Sequence, residues 1–374
     1  MTPLSYDLVD PESVGVDPAR LDVFLRRARL EVEHGPLPSV QVAVAKGGKL
    51  VAFETYGDAP QHARYILQSV GRTVVAGTIW RVIDDGLLSL DEFVGDVIPE
   101  FATNGKEVVT VKHVLTHTAG FPFAPLGYPK MLERSRRLEA MSKWRLDYEP
   151  GSQFQYHLTG AAWVIAEIVE RRTGLPFADY LRTEIVEPLG LGFVLPVPAD
   201  RYHELVAAPF AFDRVSDDQE VDPWGPWYLA NADVLAGGEP SHSIIGSAAD
   251  VALFFQALVH SGLWSKEIVA EGTRVHVCEA PRGDKLYGGS NLKTSMGLFL
   301  TVCGEERGPW LPTTGADSTF GNGGAPCQLG FMDPEAGTSF AFLTNGYPIA
   351  GYDHSRAGTN RIINLANLGN DLVA

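Results

Sequence analysis

Positive charge and cysteine are both scarce in this sequence. Its 374 residues include 30 Lys and Arg against 46 Asp and Glu, which gives a formal net charge of -16 at pH 7. Because a surface of this sign repels phosphate groups, we expect neither nucleic acid nor an anionic membrane as a partner. The three cysteines, Cys278, Cys303 and Cys327, form no CxxC pair, which argues against a disulfide framework and a thiolate metal site.

Long apolar segments are missing as well. No stretch approaches the roughly 18 consecutive apolar residues of a transmembrane helix. The first residues, MTPLSYDLVDPESVG, have neither the basic nor the apolar segment of a secretory signal. We therefore expect a cytoplasmic protein outside the membrane. Its 45% hydrophobic and 20% charged residues are typical of a large folded globule.

The common catalytic and cofactor signatures are also absent. The chain contains no GxSxG, HExxH, P-loop or GxGxxG motif, so we expect no cofactor and no metal. His113 and His117 lie four residues apart in VKHVLTHTAG, a spacing that places both on one helix face. No third ligand is near them in the sequence, which favours a structural role over a metal site.

The residues that are present form strand-like and helix-like patterns. Alternation in SVQVAVAKGGKLVAFETYG predicts a hairpin around Gly47 and Gly48. Helical spacing predicts helices in DPARLDVFLRRARLEVE, GAAWVIAEIVERRTG and SAADVALFFQALVHSG. Strand patterns return in PCQLGFMDPEAGTSFAFLTN, and TNRIINLANLGNDLVA is compatible with a last helix. The order predicts an α/β (α+β) fold, in which an antiparallel sheet from both termini is flanked by helices and carries an inserted, mostly helical domain.

A serine stands where a predicted strand runs into a predicted buried helix, in YILQSVGRTVVAGTIW. Further on come VTVKHVLTHTAGF, PGSQFQYHLTGAAWVI, TEIVEPLGLG and TFGNGGAPCQLGFMDPE. This order resembles the serine β-lactamase and penicillin-binding-protein superfamily, especially its class C-like esterases, transacylases and D-aminopeptidases, over nearly the whole chain. The resemblance implies a β-lactamase-like fold with a sheet domain at 1–68 and 285–374, a mostly helical domain at 69–284, and an active-site cleft between them.

Three motifs line the cleft in that family: SxxK at the start of a helix, YxN on a loop, and KTG or HxG on a strand. The corresponding residues here are Ser69-Val70-Gly71-Arg72, Tyr156-His157-Leu158 and Asn322-Gly323-Gly324. The resemblance implies that Ser69 is the nucleophile and that the amides of Ser69 and Ala325 hold the oxyanion. The family's lysine, asparagine and cationic or histidine residue are replaced by Arg72, Leu158 and Asn322.

The loss of the lysine decides which chemistry is feasible. A serine hydroxyl needs a neighbour that takes its proton, and an arginine stays protonated and cannot do so. Tyr156 is the remaining candidate, because a cation a few ångströms away stabilises a phenolate. We therefore expect Arg72 to activate Tyr156, which activates Ser69. His157 is a second candidate base, although by resemblance its side chain points away from the cleft.

The substituted positions also predict the character of the pocket. Leu158 makes one wall apolar, and Gly323 and Gly324 complete the strand side. Asn322 lacks the charge that recognises a substrate carboxylate, a task that Arg72 would take over by a bidentate contact.

Other stretches have both a functional and a structural interpretation. Trp224 and Trp227, with Tyr228, either form an aromatic lid over an apolar substrate or pack between helices. LKTSMG contains Lys293 and Thr294 but lacks the glycine of KTG, so we predict a strand or turn there. Ser69 taken alone would be read as a helix cap.

Three functions remain open. The first is a serine hydrolase, esterase or acyltransferase that acts on an ester, thioester or amide of a small, moderately apolar molecule through a Ser69 acyl-enzyme. The second is a non-hydrolytic biosynthetic enzyme, a cyclase, lyase or isomerase, that uses the same cleft. The third is a catalytically silent relative that binds a ligand or a partner protein.

Overall fold

The structure is a computed structural model that describes residues 4–35, 37–202, 231–279, 293–307, 311–325, 327–346 and 356–373. Within these ranges, strands are concentrated toward the two ends of the chain and helices in its middle. The predicted fold, an antiparallel-dominated sheet from both termini with a mostly helical insertion, is confirmed.

The bounds of the elements are as follows. The strands are β1 (Ser5–Leu8), β2 (Ser39–Lys46), β3 (Lys49–Gly57), β4 (Tyr65–Ile66), β5 (Ile245–Gly246), β6 (Val277–Glu279), β7 (Thr294–Met296), β8 (Thr301–Val302), β9 (Phe320–Gly324), β10 (Gln328–Asp333) and β11 (Thr338–Thr344). The helices are α1 (Pro18–Glu33), α2 (Arg72–Asp84), α3 (Val94–Val97), α4 (Val111–Leu115), α5 (Arg134–Lys143), α6 (Gly160–Thr173), α7 (Phe177–Tyr180), α8 (Glu187–Leu189), α9 (Ala232–Ala236), α10 (Ala248–His260), α11 (Lys266–Thr273) and α12 (Arg356–Asn370).

One 9-stranded sheet organises the described chain, in the order β1-β3-β2-β11-β10-β9-β8-β7-β6. β1 runs parallel to β3, and the other neighbouring pairs are antiparallel. β4 and β5 form a separate ladder beside it. β6 belongs to the sheet although it precedes residue 285; the domain boundaries 1–68, 69–284 and 285–374 stay a prediction.

Helices cover both faces of the sheet, which is why its central strands are apolar on both sides. Val40, Val42 and Val44 of β2 face an apolar cluster shared with α1 and α12. The alternate residues Ala43 and Ala45 face a larger cluster that includes α2, α6 and α10. The two-residue period of a strand thus divides the core into two layers.

The local patterns predicted from the sequence are found in the structure. Asp17 caps α1 by accepting hydrogen bonds from the amides of Ala19 and Arg20. Gly47 and Gly48 have φ of 58° and 78°, the left-handed conformation that a two-residue hairpin turn requires. The other predicted helices are α6, α10 and α12, and the predicted pair of strands is β10 and β11. No helix in the described ranges is both long enough and apolar enough to span a bilayer.

Gln256, which is fully buried, fastens α10 to the sheet. Its Oε1 accepts a hydrogen bond from the amide of Gly48 at 2.8 Å. Its Nε2 lies 3.0 Å from the Ser339 hydroxyl and 3.2 Å from the carbonyl oxygen of Ala45. One side chain therefore links the helix to β2, to β11 and to the hairpin turn.

Replacement of Gln256 by leucine keeps the volume but removes these bonds and leaves buried polar groups of the sheet without this partner. We expect the free energy of unfolding to fall by about 2 kcal/mol or more, measured by urea denaturation. Gln153 is the matched control, because its half-buried side chain makes no hydrogen bond to the described residues. Gln153→Leu should change the free energy of unfolding by less than about 0.5 kcal/mol. Equal losses in the two variants would contradict the anchoring role.

Candidate active site

Ser69 lies at the joint between a short strand and a buried helix, as the sequence predicts. β4 ends at Ile66, a 3-10 turn spans Gln68–Gly71, and α2 begins at Arg72. Gln68 has φ of 53°, a left-handed conformation that a non-glycine residue rarely adopts. Ser69 is half-buried, and its hydroxyl has no hydrogen-bond partner among the described residues.

Neighbouring strands hold the turn that carries Ser69. The amide of Leu67 donates a hydrogen bond to the carbonyl of Ile244 at 2.9 Å, which continues the β4–β5 ladder toward the serine. The side-chain amide of Gln328 on β10 donates to the carbonyl of Ile66 at 2.9 Å. These bonds stabilise the unusual conformation just before the serine from two directions.

β9 packs directly against the same turn, and Gly324 makes this approach feasible. A Cβ atom at Gly324 would lie 3.0 Å from the carbonyl oxygen of Leu67 and 3.1 Å from the side chain of Val70. Both distances are shorter than an ordinary van der Waals contact. Gly323 pairs with β10, and Ala325 follows in the turn after β9. The oxyanion role of the Ser69 and Ala325 amides stays a prediction.

Arg72 is a buried cation with 1% of its surface exposed. Its Nη1 donates to the carbonyl of His157 at 3.0 Å, and its Nη2 donates to the carbonyl of Leu158. The guanidinium carbon lies 4.4 Å from the ring centroid of Tyr156 and 5.3 Å from that of Phe299. No carboxylate of the described residues makes a salt bridge with it within 4 Å. Because a buried charge is costly unless bonded, these carbonyls and rings fix its position.

Tyr156 is half-buried and meets Arg72 through the face of its ring. A cation over an aromatic face is attracted by the ring quadrupole, so the contact differs from a hydrogen bond to the phenol oxygen. The structure thus brings together Arg72 and Tyr156. The predicted proton transfer from Ser69 to Tyr156 stays a prediction.

His117 packs against the same aromatic rings as Arg72, a position that the sequence analysis did not predict. The ring is fully buried, 4.6 Å from the centroid of Tyr156 and 5.1 Å from that of Phe299. Its Nδ1 accepts a hydrogen bond from the amide of His157 at 3.1 Å. Burial, and then the charge of Arg72, hold the pKa of His117 well below its usual range. These partners are distant in the sequence, so no local pattern indicates the contact.

His157 uses both of its ring nitrogens in the core. Nδ1 donates to the carbonyl of Gln155 at 2.7 Å, and Nε2 accepts from the amide of Phe121 at 3.1 Å. Burial lowers the pKa of His157 to about 3, and Arg72 acts in the same direction. The ring is therefore neutral, and it has no nitrogen left to take a proton from Ser69.

Asn322 of β9 links the sheet to helix α2. Its Nδ2 donates to the Thr73 hydroxyl at 3.3 Å and to the carbonyl of Phe299 at 3.4 Å. Its Oδ1 accepts from the Thr301 hydroxyl at 3.3 Å. The buried amide thus connects β9 with α2, one residue after Arg72.

The other candidate residues have structural roles or lie outside the described residues. Lys293 pairs with Glu306 at 2.6 Å, and Thr294 begins β7, which confirms the predicted strand. His113 caps α4 through Nδ1, which accepts from the amide of Thr110 at 3.2 Å. Among the described residues, no three His, Cys, Asp or Glu side chains are grouped so that they could hold a metal. Trp224, Trp227 and Tyr228 lie outside the residues that the structure describes.

Comparison with known proteins gives a family match over most of the chain. The family model described as Beta-lactamase matches residues 26–364. Esterase EstB of Burkholderia gladioli is 30% identical over 250 residues, which are 57% of this chain and 62% of that esterase. The aligned part therefore spans less than two thirds of the esterase.

Solved structures resemble the fold along nearly its whole length. A penicillin-binding protein homologue from Caulobacter crescentus has a TM-score of 0.77 and 24% identity, and the match covers 95% of this chain and 98% of that one. EstA from Arthrobacter nitroguajacolicus Rue61a has a TM-score of 0.74 and 21% identity, with 96% and 99% covered. At these identities, the likeness establishes the fold alone.

Substitution of Gly324 by alanine tests the packing of β9 on the turn that carries Ser69. The added methyl group would press on the carbonyl of Leu67, so we expect the free energy of unfolding to fall by about 1–3 kcal/mol in urea denaturation. Gly127 is the matched control, because a Cβ there meets nothing within 4 Å and its φ is not positive. A Gly324→Ala protein as stable as Gly127→Ala would show that the strand is not held against the turn.

The neutral buried histidines predict that the fold loses stability in acid. His117 and His157 are kept unprotonated by burial, whereas in the unfolded chain they take up protons below a pKa of about 6.5. Each should therefore cost about 1.4 kcal/mol of stability per pH unit as the pH falls from about 6 toward 4. Denaturation at several pH values should show a smaller slope for His157→Gln and an unchanged slope for the exposed His260→Gln. Equal slopes in all three proteins would refute the neutral state of His157.

Proposed function

Since the chain belongs to the beta-lactamase family, we propose that it is a serine hydrolase or acyltransferase that forms a covalent acyl-enzyme at Ser69. The substrate is an ester, thioester or amide of a small, moderately apolar molecule. The esterase among its relatives supports this class of substrate.

The setting of Ser69 is the observation that carries the proposal. A serine that merely capped the helix would use its hydroxyl to accept a hydrogen bond from a backbone amide. Neither the 3-10 turn of Gln68–Gly71 nor α2 has a side-chain cap of this kind. The hydroxyl is half-buried and unbonded within the described chain, and the amides at the start of the turn favour a developing negative charge.

The reaction has two halves. The Ser69 oxygen attacks the carbonyl carbon of the substrate while its proton passes to a base, and the amides of Ser69 and Ala325 stabilise the oxyanion. The alcohol, thiol or amine then leaves with a proton, and the acyl group stays on the serine. Water or a second alcohol attacks the acyl-enzyme in the same way and releases the acid or a new ester.

Tyr156 is the proposed base, because Arg72 is a permanent cation and His157 has no free ring nitrogen. The guanidinium carbon of Arg72 lies 4.4 Å from the ring centroid of Tyr156, so the cation is held beside the proposed base. The cation thus lies a few ångströms from Tyr156, as the sequence analysis expects, but over the face of its ring.

The hydrogen bonds that Arg72 already makes also limit which charge the substrate can carry. Both of its Nη atoms already donate to main-chain carbonyls, so a bidentate contact with a substrate carboxylate would break these bonds. Asn322 is occupied by Thr73, Phe299 and Thr301. A neutral substrate therefore fits these residues better than an anionic one.

A fluorophosphonate probe tests the nucleophile. We expect a single adduct on the intact protein, mapped to Ser69 by mass spectrometry, and none on Ser69→Ala. Tyr156→Phe should label at least about tenfold more slowly, since a general base contributes roughly 10² to 10⁴ in rate. Hydrolysis of an activated ester should be fastest for the wild type, slower for Tyr156→Phe and absent for Ser69→Ala.

Two results would reject this assignment. If the wild-type protein formed no adduct at Ser69 at any pH, the acyl-enzyme would be excluded. Turnover of a substrate that survives Ser69→Ala but is lost in Tyr156→Phe would point instead to non-acyl chemistry in the same cleft.

A further inference from the structure

Non-glycine residues with a left-handed backbone are concentrated at the candidate site. Within the described ranges these residues are Gln68, Asn104, His117, Phe299 and Arg307. Gln68 directly precedes Ser69. The guanidinium of Arg72 lies over the ring of Phe299, and the ring of His117 stacks on that same ring. Because this conformation costs free energy in a residue with a side chain, it persists where the surrounding structure imposes it, often next to groups that must be held in place.

His117 bonds to the main chain on both sides of Tyr156. Its carbonyl oxygen accepts a hydrogen bond from the amide of Gln155 at 3.1 Å. Its Nδ1 accepts another from the amide of His157, also at 3.1 Å. Its ring packs on the ring of Tyr156, with 4.6 Å between the centroids and 33° between the planes. One residue therefore holds both the backbone and the ring of Tyr156.

The end of α4 and the segment before β8 hold His117 in turn. The amide of His117 donates to the carbonyl of Val114 at 3.3 Å, and the amide of Phe299 donates to the carbonyl of Leu115 at 2.6 Å. The rings of His117 and Phe299 are stacked, with centroids 5.1 Å apart and 26° between the planes. Asn322 donates to the carbonyl of Phe299 at 3.4 Å. The ring that packs on Tyr156 is thus fixed by contacts of its own.

The ring of His117 is not suited to take the proton of Ser69. Since Nδ1 accepts a hydrogen bond from a backbone amide, the proton of the neutral imidazole is on Nε2. Nε2 is buried and has no hydrogen-bond partner among the described residues. The ring therefore has no free lone pair for a proton, and it acts on the reaction through the side chain on which it packs.

We propose that His117 is a positioning residue for acyl transfer at Ser69, and that it holds Tyr156 in the orientation in which the phenol acts as the base. This inference rests on the proposed function, because it concerns the same reaction. Tyr156 is half-buried, so without the ring of His117 it gains orientations in which its hydroxyl does not serve the serine. Catalysis is sensitive to such losses of alignment.

His117→Asn tests the ring of His117. Asparagine tolerates the left-handed backbone, and its side-chain oxygen can accept the hydrogen bond from His157, so the variant chiefly removes the ring. Labelling of Ser69 by a fluorophosphonate should slow by about tenfold or more, since a misplacement of about 1 Å can cost roughly 10²-fold. His113→Asn is the matched control: the ring of His113 caps α4, so this variant should lose stability in urea but label at the wild-type rate.

A double-mutant cycle with Tyr156→Phe separates positioning from a general loss of structure. If His117 acts through the phenol, adding His117→Asn to Tyr156→Phe should slow labelling by less than about twofold, the range within which independent effects are resolved. Equal slowing by His117→Asn in both backgrounds would refute the positioning role, as would a wild-type rate in the single variant.

Two results would overturn the proposed function or its base while leaving His117 to be decided: no labelling of the wild type, or a Tyr156→Phe variant that labels as fast as the wild type. NMR spectra of protein with ¹³C-labelled tyrosine rings then test the contact itself. The Tyr156 signals are those missing from Tyr156→Phe. They should shift in His117→Asn, which removes the stacked ring, and stay in place in His113→Asn. Signals that do not move in His117→Asn would show that His117 does not hold Tyr156.

Discussion

The buried guanidinium of Arg72 is the constraint on which the arrangement of the site depends. A permanent cation in the interior cannot lose its proton to relieve the cost of burial. Its surroundings adapt instead: two consecutive carbonyls accept its hydrogen bonds, the ring of Tyr156 lies under it, and the neighbouring imidazoles stay neutral. A lysine one turn after the serine would supply a movable proton, whereas arginine supplies a fixed field.

Asn322 and Arg72 connect separate parts of the candidate site. Asn322 makes hydrogen bonds to α2 and to neighbouring segments of the sheet, and Arg72 bonds to the loop of Tyr156. These two side chains thus connect α2 to the sheet and to the loop of Tyr156.

Much of the fold could be predicted from the local periodicity of apolar residues. Part of the site could be predicted because its residues are close together in the sequence. The hairpin around Gly47 and the helix capped by Asp17 are encoded within a few residues. Ser69 and Arg72 are neighbours on one helical turn, so their proximity needs no tertiary information. The orientation of Arg72 over a ring face depends on two carbonyls about 85 residues away. His117 joins the site through contacts of the same long-range kind, which no spacing rule reveals.

The order of the sheet has a consequence for how the protein is made. β2 pairs with β11, so strands from near the two ends of the chain lie side by side in the middle of the sheet. During translation, the first hairpin leaves the ribosome with one edge of β2 unpaired, and that edge stays open to other chains until β11 has been synthesised. β9 and β10, which support the Ser69 turn, also emerge after α2. The turn that carries the serine and the helix after it are therefore synthesised well before the strands that hold the serine in place.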